Sequence, residues 1–169
     1  VVRADGAQIR IEGTPVLCGC VNDPVDRTVT PAVEAECGFA EIQVISFADL
    51  SAGKIVGALD SQHLRDFFDV RHLLANDGIT LELRSAFIAY MISHNRPMAA
   101  VLDRRLKNLA EESARGFVGM TVETVDVAER EKAHTDLVAA VIGDMQQDHR
   151  RFLVSVQKGQ PTGALALGC

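Results

Sequence analysis

Apolar and polar positions divide the chain into a short β-patterned beginning and a long helical remainder. Val1-Val2-Arg3 and Gln8-Ile9-Arg10-Ile11-Glu12 flank Asp5-Gly6. Extended patterns on either side of an Asp-Gly pair predict a hairpin. In its second strand Ile9 and Ile11 point to one face, and Gln8, Arg10 and Glu12 to the other. Gly13-Thr14-Pro15 ends the alternation. Residues 19–38 show no period. Asn22-Asp23-Pro24 is a turn signal, and Pro31 and Gly38 punctuate the stretch, so an irregular segment is expected. Glu41-Ile42-Gln43-Val44-Ile45 alternates again and is rich in β-branched residues, which predicts a strand.

At Ser46 the period changes. Ser46 is the expected N-cap of a helix running to Asp60. At roughly 100° per residue, Phe47, Leu50, Ser51, Lys54 and Ala58 share a stripe that Ala48, Ile55 and Leu59 widen, with Asp49, Gly53 and Asp60 opposite. Lys54 therefore falls within the apolar arc, where an ammonium must snorkel, pair or face a cleft. After a short polar turn, Phe67, Val70, Leu73 and Leu74 form the inner face of a second helix, which Asn76-Asp77-Gly78 closes. Asp66 and Asp69 lie side by side on that helix, three residues apart. Acids in a first turn suit the helix dipole; alternatively, an aspartate faces Lys54 across the helix pair at the edge of a cleft.

Beyond Thr80 the pattern is helical. Thr80 caps a helix to about His94, with Ile79, Leu83, Ala86, Phe87 and Tyr90 as its stripe. His94 sits in the last turn, where a cation suits the dipole. Pro97 opens a helix to about residue 114, and Gly116-Phe-Val-Gly119 breaks it. Further helices are expected from about Asp126 to Met145 and over residues 147–157. The tail Lys158–Cys169 has no period and is expected to fray. Strands segregated from helices give an α+β fold. Residues 1–78 carry the sheet and the helix pair, residues 79–157 form a helical bundle, and residues 158–169 are tail, all packed as one unit.

The chain has 169 residues, 47% hydrophobic and 24% charged, an ordinary globular balance. No apolar run approaches the roughly 20 residues of a membrane span. A net charge of −6 argues against broad binding to nucleic acid. It leaves room for a local basic groove at Arg104-Arg105-x-Lys107 or Arg150-Arg151, residues that equally fit a solvated helix surface. Cys18, Cys20, Cys37 and Cys169 lack zinc-site spacing, and read as reduced thiols they fit a cytoplasmic protein. There is no Gly-rich phosphate loop, Gly-x-Ser-x-Gly elbow or His-Glu-x-x-His helix. Three residues make a poor edge strand to begin on, so part of the fold is expected upstream of Val1.

Several motifs occur in a telling order. A strand ends in Glu12. Val44-Ile45-Ser46-Phe47-x-x-Leu50 leads into Ala52-Gly53-Lys54-Ile55-Val56-x-Ala58-Leu59. Arg65-Asp66-x-x-Asp69-Val70-x-x-Leu73-Leu74 follows, and then the break Ile92-Ser93-His94-Asn95-Arg96-Pro97. Together they resemble the C-terminal two-thirds of AbiEii-type nucleotidyltransferase toxins of type IV toxin–antitoxin systems, within the polymerase-β-like superfamily. The resemblance implies transfer of a nucleotide from an NTP to RNA (tRNA as the candidate) or to protein, with a cognate antitoxin as partner. It implies magnesium held by a Gly-Ser…Asp-x-Asp motif and a third carboxylate, here Glu12. Metal and cation together neutralise charge on the transferred group. By the same resemblance Lys54 contacts the nucleotide phosphates, Arg65 supports the phosphate site, and Asp66 or Asp69 orients Lys54 or helps activate the incoming hydroxyl.

The departure is that no Gly-Ser turn precedes an Asp-x-Asp anywhere in the chain. Asp23-Pro-Val-Asp26 has the wrong spacing and place. The acid pair is thus expected N-terminal to Val1, and the chain alone is expected to be inactive. Another reading is a non-catalytic helical module that binds an antitoxin through helix faces beyond Thr80. A third is an RNA-binding fragment using Arg104, Arg105, Lys107, Arg150 and Arg151.

Overall fold

Hydrogen-bonding needs at the element ends explain where most elements start and stop. In the computed structural model, residues 2–4, 7–9, 19–103 and 127–162 are described. β1 (Val2–Ala4) and β2 (Ala7–Ile9) pair antiparallel with Val2 opposite Ile9 and Ala4 opposite Ala7, the expected hairpin. The continuation of its second strand to Glu12 lies outside the described residues, as do Arg104, Arg105 and Lys107.

The segment expected to be irregular is not. It contains β3 (Val25–Thr28) and α1 (Pro31–Cys37). Pro31 stands at the first helical turn, where its missing N–H costs nothing and its fixed φ suits a helix. Gly38 ends the helix at φ 87°, a conformation that favours glycine. The two residues read as punctuation are a start and a stop. β3 pairs antiparallel with β4 (Glu41–Val44), Val25 opposite Val44 and Thr28 opposite Glu41. The described strands therefore form two separate two-stranded sheets, and helices make up most of the rest, an α+β architecture.

α2 (Phe47–Asp60) begins at Ser46, whose Oγ accepts from the Asp49 N–H at 3.0 Å. α3 (Leu64–Asn76) ends where the N–H groups of Asp77 and Gly78 both reach the Leu73 carbonyl. α4 (Leu81–Ile92) begins at Thr80, which accepts from the Leu83 N–H at 3.1 Å. α5 (Met98–Leu102), α6 (Val127–Gly143) and α7 (Gln147–Gln157) follow. After α7 the chain turns back, and the Thr162 N–H donates to Ser155 Oγ at 2.9 Å. The tail is thus tied down as far as Thr162 rather than frayed.

α4 is the centre. Its buried residues Leu83, Arg84, Ser85, Ala86, Phe87, Ile88 and Met91 run around the helix rather than along one stripe. α2 packs along one side of it and α7 touches it as well, while α3 packs on both α2 and α6. Leu137 and Val141 of α6 join the same core. Arg84 is buried because its guanidinium donates to the Ala140 and Val141 carbonyls at 3.1 and 2.6 Å, which α6 leaves without helical partners at its end. Burial draws its pKa below the ordinary value, while the nearby Asp144 charge acts the other way. Phe87→Ala should remove a fully buried ring from this centre and cost about 3–5 kcal/mol, read as a lower urea midpoint with an unchanged slope.

Candidate functional site

The turn between α2 and α3 sets the site. Ser61, Gln62 and His63 reverse the chain, with Gln62 at φ 60° and no exposed surface. A buried non-glycine residue in the left-handed region is held there by its surroundings. The reversal lays α3 beside α2, so that Lys54 and Asp69 meet as an ion pair. Each side chain keeps 41% of its surface exposed, so the pair can exchange partners with a ligand.

Beside this pair runs a groove of about 240 Å³, walled by Phe47, Leu50 and Ser51 of α2 and by Val70 and Leu73 of α3. Here the sequence expectation is corrected. Phe47 and Leu50, assigned to the inner stripe, are 58% and 45% exposed, while Asp49, assigned to the wet face, is 1% exposed. The buried face of α2 is Ala48, Asp49, Ser51, Ala52, Ile55, Val56, Ala58 and Leu59. It is rotated from the expected stripe: Ile55 and Leu59 remain inside, and the small Ala48, Ser51, Ala52 and Ala58 share the buried face with them. Lys54 therefore stands at the edge of the buried face with its ammonium at the groove.

Asp66 and Asp69 part company. Asp69 lines the groove, whereas Asp66 faces the turn and accepts from Ser61 Oγ at 3.2 Å. The side chain of Arg65 and the whole of Glu12 lie outside the described residues. His94, expected in a final turn, does sit just past α4, with Nε2 3.6 Å from Asp60 at the end of α2. Arg96 approaches the same carboxylate at 3.4 Å. His94 Nδ1 accepts from the Arg96 N–H, which leaves the Nε2 proton for Asp60. These contacts clip the end of α4 to the end of α2.

Asp49 is what sequence reasoning missed. Its Oδ1 accepts from the Val21 N–H at 2.7 Å. Its Oδ2 accepts from the Asn22 N–H at 3.0 Å, Asn22 Nδ2 at 2.9 Å and Ser46 Oγ at 2.7 Å. Burial alone would raise its pKa; the hydrogen bonds from Val21, Ser46 and Asn22 outweigh that and hold it below the ordinary value. The spacing Ser46-x-x-Asp49 is the capping-box pattern that announces a helix start. Here the acid instead turns to a segment 27 and 28 residues earlier.

With this geometry in view, the chain can be set against known proteins. The family model of the nucleotidyl transferase AbiEii toxin, type IV toxin–antitoxin system, matches residues 2–165. The chain belongs to this family. The match takes in the N-terminal hairpin as well as every described helix. Neither a curated protein nor a solved structure matches it. Membership points to a nucleotidyltransferase toxin role, a nucleotide substrate and an antitoxin partner. Among the described residues, no helix is long and apolar enough to cross a membrane.

Nucleotidyltransferases generally work with a divalent metal. The described residues do not fit one, since no three of their His, Cys, Asp or Glu side chains gather as a metal site. Their best-placed carboxylates are also committed: Asp49 to its donors, Asp69 to Lys54, and Asp60 to His94 and Arg96.

Asp49 gives a pH prediction. Its folded pKa lies below the unfolded value near 3.8, so its contribution is complete above that value and is lost as pH falls through the folded pKa. Asp49→Asn should flatten the acid limb of a stability-against-pH curve. Asp49→Ala should cost about 3 kcal/mol at neutral pH, because four donors lose a charged acceptor.

Proposed function

We propose that this protein contributes the cation-bearing half of a nucleotidyl transfer centre. That centre moves a nucleoside monophosphate from an NTP to RNA, with tRNA as the candidate, or to a protein hydroxyl. The observation that carries this reading is the exposed Lys54–Asp69 pair at the groove between α2 and α3. A phosphate arriving at the groove competes with Asp69 for the Lys54 ammonium, and a more highly charged oxyanion wins. Lys54 then neutralises charge that develops on the transferred group. The acceptor oxygen bonds to the α-phosphorus, the bond to pyrophosphate breaks, and Asp69, released from Lys54, takes the hydroxyl proton.

Asp66, held by Ser61, supports the turn that aligns the two helices. Arg65 is the proposed neighbour of the phosphates. Glu12 is the proposed magnesium ligand; the metal would neutralise phosphate charge. The chain carries no Gly-Ser…Asp-x-Asp, so it is proposed to need that motif from an upstream extension before it turns over. The protein is proposed to act in the cytoplasm. A second reading, a non-catalytic module that engages an antitoxin, draws support from Leu81 and Val154, apolar residues exposed on helices beyond Thr80.

The test uses this chain and an upstream-extended form carrying Gly-Ser…Asp-x-Asp. The extended form should bind NTP and label an acceptor with nucleotide. Failure of both, with an antitoxin complex formed, would leave the binding-module reading standing. In the extended form, Lys54→Met should abolish labelling and shift stability by less than about 1 kcal/mol, since the pair is exposed. Loss of folding in that variant would show Lys54 to be structural.

A further inference from the structure

A second concavity, of about 380 Å³, lies along α7 and the turn-back that follows it. Its lining includes Arg150, Arg151, Lys158, Gln147, Gln160 and Thr162, and no carboxylate among the described residues. Three cations around one hollow stand out on a chain whose net charge is −6. Each is available in its own way. The Arg150 guanidinium is anchored by the Ile142 carbonyl at 2.7 Å and the Met145 carbonyl at 3.1 Å, which fix its position without cancelling its charge. Lys158 forms no ion pair with any described residue. Among the described residues Arg151 pairs with Asp148 alone, at 3.5 Å and well exposed, a contact weak enough for a ligand to displace.

We propose that this hollow holds the phosphate backbone of an RNA strand. Guanidinium forks match phosphate oxygens in geometry as well as charge. The Gln147 and Gln160 amides add neutral donors, and the half-exposed Val154 offers an apolar shelf for a ribose or base. Among the described residues no aromatic side chain lines the hollow for bases to stack on, so the binding is electrostatic and indifferent to sequence. The hollow shares no lining residue with the Lys54 groove. Its role in presenting an acceptor rests on RNA being the acceptor; the binding itself does not.

The experiment is fluorescence anisotropy of a labelled single-stranded RNA titrated with the full chain across a salt series. The double variant R151E/K158E should bind at least tenfold more weakly at low salt, and its salt slope should fall by about 1.4, two phosphate contacts fewer. R151Q/K158Q should show the same trend and covers any folding loss in the reversal variant. Lys132→Glu on α6 should leave RNA binding unchanged. Unaltered affinity and slope in both double variants would overturn the proposal. So would preferential binding of polyglutamate, which would assign the hollow to an acidic protein. Loss of RNA binding in the double variants, with no nucleotide labelling by the extended form, would retain this site and reject nucleotidyl transfer.

Discussion

The structure depends on how closely α2 lies against α4. Ala48, Ala52 and Ala58 are buried on α2, and a Cβ placed on Gly53 would stand 3.7 Å from the Tyr90 ring. With so little side chain between the helices, Ile55 and Leu59 of α2 reach the core formed by Phe87 and Ile88. α3 occupies a second side of α2, and the segment at Val21 and Asn22 is fastened to its first turn. Each attachment removes a direction in which Lys54 could point. What remains is the seam with α3, and there Asp69 is waiting. The cation's position follows from burial elsewhere on its helix as much as from its own pairing.

Much of this was legible in the chain. The pairing of β1 with β2, the caps at Ser46 and Thr80, the stop at Gly78 and the run 147–157 came from local rules, because each depends on neighbours in sequence. The pairing of Lys54 with an aspartate was open to inference for the same reason: a charge in an apolar arc needs a partner. The rotation of α2 was not legible. Hydrophobic periodicity assumes that large apolar residues lie inside, and this helix buries alanines while Phe47 and Leu50 face the groove. Asp49 and Arg84 defeat the pattern in another way. Both are charged and buried, and both bond to backbone groups more than 25 residues away, which no local window contains. β3 was missed because Val25-Asp-Arg-Thr28 lacks an apolar face, and its pairing with β4 is what makes it a strand.

The two proposed binding grooves divide the recognition problem by charge. Beside Lys54 the walls are largely apolar and the ion pair is neutral overall, which suits a ligand read by shape with charge at one end. Along α7 the hollow carries three cations, which suits a ligand held by charge. Arg150 takes part in both fold and charge, since one of the carbonyls that hold it, that of Ile142, belongs to the end of α6. Placing a cation at a helix C-terminus stabilises the helix and presets the cation for an anion.

Gln62 bears on what kind of machine this can be. A connector of three residues, with its middle one buried and turned left-handed, has no slack to take up a change of angle. The two helices it joins must therefore travel together, like jaws cast in one piece. Any opening or closing around a substrate has to occur at the outer edges of the pair, where other segments meet it. In the proposed reading, selectivity at the Lys54 groove is then a matter of a fixed gauge, which admits what fits and does not close on what does not.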